Sequence, residues 1–421
     1  MANNFDSNFT RKLAKVFLDK FESERVLSKN VNTQLLSGKF GSDTGDTVDF
    51  KRPTDYTSKR TSAGDISGGT RDSIITGKAS GTVQDYFTVD VDFDEADEAL
   101  KMDQLDSLLA PMATRIKTDL ELDFGEFCAK NTALLSGAVG TGVTTWDHVA
   151  GAGAIMQASG VPMDQDWCYF ANPFTQRSLA SNQRSLGGET GSMSANQRAV
   201  ITDNFAGMKV MTATTLPSYT TGVGADRAGT LSGTPTATYL AAKDTMTMSI
   251  AVTAFQANLV VAAGETITVT GRNRLNLSTR KPIVDETGAQ ILFSGTVTAA
   301  VTLDGSGAGT LVITGPGVYE AAGAFNTVDS ALTSGDVVTL GGAASKLIQP
   351  NLFWHKQAFG IGSVPIKKLY STDTIATTED GLQFRVSKYA NGDANKQIVR
   401  FDFRPAYAVL NPFFAGKSFG G

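Results

Sequence analysis

The N-terminal stretch alternates apolar and charged residues with the spacing of an amphipathic helix. Over residues 9–27, Leu13, Val16, Phe17 and Phe21 recur three or four positions apart, with charged residues between them. A helix with one apolar stripe must lie on another element, because it cannot form a core alone. We therefore expect Phe17 and Phe21 to lie at a contact, and a boundary with another subunit is a candidate.

Residues 46–93 have the pattern of one long hairpin. The first strand begins at Thr47 and ends at Pro53, because proline interrupts a strand. The returning strand alternates strictly, with Phe and Val on one face and Thr and Asp on the other. The connection over residues 54–81 is polar and contains glycine, and connections of this length are usually functional. It is either a loose surface loop or an extended arm that reaches a neighbouring subunit.

The strongest helical pattern follows, with apolar residues at helical spacing from Leu105 to Phe127. Proline is tolerated in the first turn of a helix and disfavoured inside one. We therefore expect a short helix before Pro111 and a main helix over about residues 111–132. Residues 135–220 then mix helical stretches with short strands, which is typical of an α+β fold.

The composition changes near residue 220, where charged residues become rare and Thr, Ala, Val and Gly dominate. Short strands separated by Gly- and Asp-containing turns predict a small sandwich or barrel. The strand candidates are residues 245–253, 266–270, 290–293, 296–303, 310–313 and 337–340. The earlier composition returns at Pro350, so this stretch is interpreted as an inserted domain.

Composition excludes several classes of protein. The apolar stretches are far shorter than the ~20 residues of a membrane helix, and the N-terminus lacks the pattern of a signal peptide. Cys128 and Cys168 are too few for a disulfide framework or a cysteine-rich zinc site, and we expect both to be reduced and buried. The net charge of -5, without a long basic run, argues against a surface that grips phosphates. The 19% of charged residues, against about 25% in typical soluble domains, suggests surface covered by neighbours.

No catalytic, cofactor or metal site is predicted. The two histidines, His148 and His355, have no evident catalytic partner and are expected to be structural. The sequence Ala415-Gly416-Lys417-Ser418 resembles the end of a phosphate-binding loop, but Asn411 replaces the required glycine and too few residues follow for a helix. The closely spaced glycines at 305, 307 and 309 are better explained by a hairpin turn.

An acidic run between Asp85 and Asp106 leaves three interpretations open. It is a solvated strand face and helix start, a divalent-metal site without a recognisable loop spacing, or a surface that pairs with a basic arm of another subunit. For the third interpretation the acidic candidates include Asp90, Asp92 and Asp94, and the basic ones are Lys51, Arg52, Lys59, Arg60, Arg71 and Lys78.

Several blocks in combination resemble the coat proteins of short-tailed Salmonella and Shigella phages. They cover both flanks of the chain and are weak within residues 220–345. The blocks are GDTVDFKRP (45–53), GDISG (64–68), LAP (109–111), TDLE (118–121), PNLF (350–353), KYANGDAN (388–395), RFD (400–402) and PAY (405–407).

The resemblance implies a Hong Kong 97-type capsid fold of the α+β class with an inserted β-barrel. The implied parts are an N-terminal arm (1–44), an E-loop (45–84), a peripheral P-domain (85–134 and 372–404) with a spine helix at about 111–132, an axial A-domain (135–219, 347–371 and 405–421) and the inserted I-domain (220–346). In this subfamily the inserted domain aids folding and control of capsid size.

The resemblance also implies a function and partners. The chain would be a major capsid protein, not an enzyme, that assembles with a scaffolding protein into an icosahedral shell of hexamers and pentamers. The shell would enclose double-stranded DNA through non-specific contacts, carry a portal protein at one vertex, involve no membrane or cofactor, and assemble in the bacterial cytoplasm. The alternative is a β-rich tail, adhesion or carbohydrate-binding protein with residues 220–345 as its binding module.

One departure concerns the N-terminal helix. In the Salmonella relative its acidic residues help to bind a basic scaffolding protein, whereas here the helix also carries several basic residues. No scaffold-binding residues are therefore assigned. The basic residues are Arg11, Lys12, Lys15, Lys20 and Arg25.

Overall fold

The computed structural model describes residues 6–421 with internal gaps. The gaps are residues 37, 42–44, 52–55, 57, 70, 72–73, 75–76, 95–104, 165, 187–200, 202–203, 236–245, 322 and 393–395. The chain forms two compact units. Unit 1 contains Met1–Asp49, Ser80–Gly125 and Phe359–Leu410, and unit 2 contains Phe50–Ala79, Glu126–Ala358 and Asn411–Gly421.

The α-helices within the described residues are α1 (Asp6–Glu24), α2 (Leu105–Lys130), α3 (Trp146–Ala158) and α4 (Pro173–Leu186), and a short 3₁₀ helix covers Pro412–Phe414. None of them is both long and apolar enough to cross a membrane. The strands outside the barrel and its connections are β1 (Thr47–Lys51), β2 (Lys78–Val83), β3 (Phe87–Asp94), β4 (Leu134–Ser136), β5 (Trp167–Ala171), β6 (Asn204–Phe205), β7 (Met208–Thr212), β18 (Asn351–His355), β19 (Phe359–Ser363), β20 (Thr374–Thr377), β21 (Gln383–Asn391), β22 (Lys396–Phe403), β23 (Pro405–Val409) and β24 (Ala415–Ser418).

The first sheet of unit 1 has the strand order β20-β21-β22-β3 and is antiparallel throughout. Its apolar face carries Phe384, Phe401 and Phe403, each at most 1% exposed, and helix α1 packs on it. The alternation of strand side chains leaves the other face polar. The predicted acidic residues Asp90 and Asp92 of β3 lie along this polar face.

The second sheet containing unit 1 strands has the order β1-β2-β23-β19. The prediction of one hairpin returning through residues 87–93 was therefore wrong in its pairing. The strand beside β1 is β2, whose sequence KASGTV shows no clear alternation of apolar and polar residues, while β3 belongs to the first sheet. The long connection consequently runs from the end of β1 to Lys78.

Helix α2 is continuous through Pro111, so the expected break there does not occur. Proline at this position removes one hydrogen bond to the preceding turn, a cost of about 3 kcal/mol in a helix interior. The buried residues that follow, Ile116, Leu120 and Phe124, anchor the helix by packing. Their burial explains why tertiary contacts outweigh the local penalty.

Unit 2 contains a six-stranded sheet with the order β4-β24-β18-β5-β7-β6. Strand β24 lies inside this sheet, parallel to β4 and antiparallel to β18. The core beside it includes Val149 and Met156 of α3, Leu179 of α4 and Tyr169 of β5. A strand from the C-terminal end of the chain is thus an internal element of the sheet.

The remaining part of unit 2 is a closed barrel, as expected for the inserted domain. Its strand order is β10-β15-β13-β12-β16-β9, and its interior is filled by Val, Ile, Leu and Phe. The strands are β9 (Ala228–Leu231), β10 (Thr247–Thr253), β12 (Thr266–Asn273), β13 (Leu292–Val297), β15 (Gly309–Thr314) and β16 (Val337–Leu340). A small ladder of β11 (Val260–Val261) and β14 (Val301–Thr302) accompanies it.

The two ends of the insertion lie side by side. Strand β8 (Tyr219–Thr220) pairs with β17 (Leu347–Ile348), so the chain enters and leaves the barrel through one short ladder. Domains inserted at such adjacent points can be accommodated without disturbing the host fold. The predicted barrel and the predicted α+β class are thereby confirmed for the described residues.

Candidate subunit-contact surfaces

Both histidines have structural partners. His148 lies in the first turn of α3, where its Nδ1 accepts the backbone N–H of Thr144 at 3.1 Å. Its side chain forms a capping box with Thr145 at the start of the helix. His148 therefore satisfies a helix end, as expected from the sequence.

His355 is buried and pairs with Asp164 through Nε2 at 2.8 Å. Its Nδ1 accepts the backbone N–H of Gln357 at 3.2 Å, so the neutral ring carries its proton on Nε2 and donates to the carboxylate. Burial by itself raises the pKa of Asp164, but the hydrogen bonds from His355 and from the Asp166 backbone outweigh it and hold the pKa below its ordinary value.

Asp164, Asp166 and His355 also lie close enough together to be considered as metal ligands. However, the tautomer set by Gln357 leaves Nε2 without a lone pair, and a metal-bound histidine usually donates from its other nitrogen. The group is therefore better explained as a hydrogen-bonded pair with a neighbouring carboxylate.

The fold explains the two glycine-containing motifs that were considered in the sequence. Ala415-Gly416-Lys417-Ser418 is strand β24 and is fully buried in its sheet. Gly307 has a φ of 72° in the turn between β14 and β15, where Asp304 accepts the backbone N–H of Ser306 and Ala308. Positive φ at that position explains the glycine. Cys128 and Cys168 are buried and are not joined in a disulfide, as expected.

The acidic face of β3 is partly neutralised within the chain. Asp92 and Asp90 are exposed, and the register places Asp90 opposite Arg400 on β22. Lys396 bonds Asp92 at 2.5 Å, and its hydrogen bond and positive charge lower the pKa of that carboxyl. Asp94 ends β3, and its side chain is outside the described part of the chain. These in-chain cations were not identified from the sequence, because the register was unknown.

Asp402 of β22 is fully buried on the same face of the sheet. Arg385 and Arg400 both donate to it, the latter at 2.7 Å, and Thr88 donates from β3 at 2.8 Å. Such a carboxylate, satisfied by several donors, fixes the pairing of β21, β22 and β3. The sheet therefore presents its remaining exposed charges in a defined arrangement.

An apolar patch adjoins these charges on the polar face of the sheet. Tyr370 stacks on Tyr389 with ring centroids 5.4 Å apart. Leu369 is 62% exposed, Tyr370 47% and Ile375 36%. Exposed apolar patches rimmed by charged groups commonly mark interaction sites. The patch was missed from the sequence because its members are brought together only when Tyr370 stacks on Tyr389 in the folded sheet.

The hairpin connection presents basic and apolar side chains together. Five of its six predicted basic residues are described and exposed: Lys51, Lys59, Arg60, Arg71 and Lys78. Arg52 lies outside the described residues. Between them, Tyr56, Ile66 and Ile74 are 54%, 49% and 78% exposed. The connection therefore offers a surface opposite in charge to the acidic face of β3.

Phe17 and Phe21 lie in the chain's own core, which corrects the expectation that they lie at a subunit boundary. They are 1% and 0% exposed, and Phe17 stacks on Phe401 at 4.8 Å. Phe21 meets Phe384 edge to face at 4.5 Å. The amphipathic pattern correctly required a partner surface, but a helical pattern cannot tell whether that surface belongs to the same chain.

The segment after α1 is held by a buried carboxylate of α2. Glu121 is 1% exposed and accepts the backbone N–H groups of Val26, Leu27 and Ser28 at 3.2, 2.7 and 3.0 Å. It also accepts the hydroxyl of Ser28. Charge-assisted bonds of this kind are stronger than neutral ones. They fix the segment after α1 on helix α2.

The barrel is joined to the rest of unit 2 through Arg274, which is fully buried. Its guanidinium donates to the carbonyls of Ala133 and Ser294 at 2.8 and 2.7 Å. It also lies over the rings of Phe293 and Phe413. Burial lowers the pKa of Arg274 to about 10, still well above neutrality. This charged contact fixes the barrel to the turn after α2.

Comparison with known proteins gives consistent matches. A family model described as P22 coat protein, gene protein 5, matches residues 1–421. The major capsid protein of Acyrthosiphon pisum secondary endosymbiont phage 1 is 35% identical over 424 residues, which covers 100% of both chains.

Solved structures similar to this chain include two from phages. Mycobacterium phage Che8 matches with a TM-score of 0.48 and 12% identity, covering 94% of this chain and 90% of that one. The capsid of Ralstonia phage GP4 matches with a TM-score of 0.42 and 9% identity, covering 90% and 84%.

Proposed function

The chain belongs to the P22 coat protein family and is a phage major capsid protein, and we propose that it self-assembles with a scaffolding protein into an icosahedral shell. The shell is built of hexamers and pentamers and encloses double-stranded DNA. The family is a structural family rather than an enzyme family. We further infer the Hong Kong 97-type arrangement with the arm, loop and domain limits predicted above.

The observation that carries the assembly proposal is the pair of complementary surfaces on one chain. The hairpin connection is basic with exposed Tyr56, Ile66 and Ile74, and the polar face of the first sheet carries exposed Asp90 and Asp92 of β3 together with exposed Leu369 and Tyr370. Copies that place one surface on the other would bury apolar area and pair charges together. Complementary surfaces at different places on a chain produce head-to-tail contacts, which close into rings when the rotation permits.

The remaining partners follow from the proposed container role. Packaged DNA is held by non-specific contacts, because a net charge of -5 does not neutralise many phosphates. A portal protein occupies one vertex, and assembly takes place in the bacterial cytoplasm without a membrane. The scaffolding protein acts before the DNA is packaged.

The deciding experiment is co-expression of the chain with its scaffolding protein, followed by negative-stain microscopy and sedimentation. We expect closed shells tens of nanometres across. The chain expressed without the scaffold serves as the control and should give fewer or irregular particles. Small soluble particles alone under assembly conditions would contradict the proposal and favour the adhesion-protein alternative.

A further inference from the structure

Lys417 is a buried amine at the contact between the C-terminal strand and the inserted barrel. Side chains alternate along β24, so Lys417 and Ser418 point to opposite sides of the sheet. Ser418 accepts the hydroxyl of Tyr169 at 3.1 Å within the sheet's own domain. Lys417, fully buried, donates instead to the carbonyl of Gly264 at 2.5 Å, in the turn that precedes barrel strand β12.

The surroundings of the Lys417 amine suit a neutral group better than a charged one. An ammonium has three N–H donors, and among the described residues Gly264 is the one hydrogen-bond acceptor that it reaches. The amine also lies 5.3 Å from the ring centroid of Tyr219, a cation–π contact that favours the ammonium but supplies no hydrogen-bond acceptor. The hydroxyl of Tyr219 is itself buried with no hydrogen-bond partner among the described atoms.

The nearest negative charge, Glu265, is already occupied. Its carboxylate accepts the backbone N–H groups of Gly222 and Ala262 at 2.7 and 2.9 Å and pairs with Arg227. Glu265 is fully buried, and its negative charge attracts the ammonium form of Lys417. The positive charge of Arg227 compensates that of Glu265. The sheet neighbours of Lys417 in register are Leu352 of β18 and Leu135 of β4, both apolar. Among the described residues, the titratable or charged groups near the amine are Tyr219 and Glu265, the latter paired with Arg227.

We propose that Lys417 makes this joint proton-sensitive: the neutral amine holds the C-terminal strand against the barrel, and protonation of the amine loosens it. Burial of the amine lowers the pKa of Lys417 to about 7, although the charge of Glu265 opposes that shift. The docking equilibrium is therefore pH-dependent from about neutral pH upward. It depends on one chain and is independent of shell formation.

The direction of the pH effect follows from linkage. In the unfolded or undocked state Lys417 is an ordinary lysine with a pKa near ~10.4, so between neutral pH and about pH 10 the undocked state binds more protons than the docked one. The docked state is thus favoured as the pH rises through this range. One proton corresponds to a change of at most ~10-fold in the opening equilibrium per pH unit.

The test is hydrogen exchange, read by mass spectrometry, of residues 415–420 in the unassembled full chain from pH 6.5 to 9.5. After correction for the intrinsic exchange rate, protection should rise severalfold per pH unit in the wild type. Lys417→Met, which keeps an unbranched buried side chain, should remove the slope and protect the strand at pH 6.5 at least as well as the wild-type lysine. Lys346→Met, an exposed lysine of the same unit, should leave the slope intact.

Two results would overturn the proposal. One is a wild-type profile that stays flat over this pH range, which decides the matter even if Lys417→Met does not fold. The other is a slope that persists in Lys417→Met, since the titrating group would then lie elsewhere.

Discussion

The carboxylate of Glu121 accepts the backbone N–H of Leu27 at 2.7 Å across 94 residues of sequence. Replacing Glu121 with Ala leaves the buried N–H groups of Leu27 and Ser28 and the half-buried one of Val26 without their acceptor, and each buried group left unpaired costs ~1–3 kcal/mol. We expect Glu121→Ala to lower the free energy of unfolding by about 3 kcal/mol or more, measured by urea denaturation. Glu121→Gln, which retains an acceptor oxygen, should lose less.

The control for this prediction is Asp119→Ala on the same helix. Asp119 makes an i,i+4 pair with Arg115, a partly exposed contact for which ~0.5 kcal/mol is the expected scale. If Glu121→Ala and Asp119→Ala destabilised the protein equally, the anchoring role of Glu121 would be wrong.

Acid should destabilise the inserted barrel through Asp336. Arg272 donates to both its oxygens, at 2.7 and 2.6 Å, and Thr333 donates its backbone N–H at 2.8 Å. Burial alone raises the pKa of Asp336, but these contacts outweigh it and the pKa lies below the ordinary value. The stabilisation is therefore complete above the unfolded pKa of ~3.9 and is lost as the pH falls through the lower folded value.

The measurement is hydrogen exchange of strands β12 and β16 at pH 7 and at pH 3. Asp336→Asn should weaken the barrel by ~1–3 kcal/mol at pH 7, because the ionic part of the hydrogen bonds is lost. It should also reduce the difference between the two pH values. If Asp336→Asn showed the same difference in exchange protection between pH 7 and pH 3 as the wild type, other carboxylates would be responsible for the acid sensitivity.

Charge reversal in the hairpin should impair assembly and leave the subunit folded. Arg60 and Arg71 are exposed, and changing both to Glu would repel the acidic face of a neighbouring copy. Shell yield should fall several-fold in co-expression, with an unchanged circular dichroism spectrum. Adding Asp90→Lys in the same chain should restore part of the yield, because it restores opposite charges.

A matched reversal at Lys281 and Lys346 controls for net charge, since both are exposed lysines outside the hairpin. Normal shells from the Arg60→Glu, Arg71→Glu variant would refute a cross-subunit role for these residues. An equal loss of shell yield in the Lys281, Lys346 control would show that the change in net charge alone causes the effect.

Gly137 should be intolerant of any side chain. Its φ is 78°, and an added Cβ would lie 2.2 Å from the backbone oxygen of Phe419. We expect Gly137→Ala to cost ~2 kcal/mol or more and to displace the residues after β24. Trp354, fully buried beside Ala415 of β24, should report the displacement as a red-shifted fluorescence spectrum.

Gly142→Ala is the matched control, because nothing lies within 4 Å of its added Cβ and its φ is not positive. A Gly137→Ala protein with wild-type fluorescence and stability would contradict the close packing of this turn against the C-terminal segment.

Removing the barrel should disturb assembly more than it disturbs the folding of the rest of the chain. The two ends pair through Thr220 and Leu347, so residues 221–345 can be excised with a short connection. Excision removes Arg274 and with it the contact to Ala133. We expect lower solubility or shells of incorrect size, measured by sedimentation and microscopy, and wild-type shells would count against this role.

The sequence predicted elements whose pattern is local. The barrel strands at 247–253 and 337–340 were found within two residues, because an alternation of polar and apolar residues is a strong local signal. Strand β9, with the sequence AGTL, was missed because Ala and Gly have weak strand preference. The continuous helix at Pro111 was missed because packing downstream overrides the local penalty.

The contact residues were harder to predict because they depend on register and on distant segments. Lys396 and Asp92 meet only when β22 pairs with β3 in the observed register. Nothing local in the sequence around Glu121 indicates that its carboxylate receives backbone groups from the arm. Lys417 resembled part of a phosphate loop, and the fold placed it instead inside a sheet.

The burial of Phe17 and Phe21 determines what helix α1 can offer to a partner. Since its apolar stripe is already covered by the chain's own sheet, the described side chains that remain exposed are Arg11, Lys12, Lys15, Asp19 and Lys20. A protein that docks on the described exposed part of this helix, from Arg11 to Lys20, therefore encounters mostly positive charge and little apolar surface. Recognition there would be ionic, would favour an acidic partner, and would weaken as added salt shortens the screening distance.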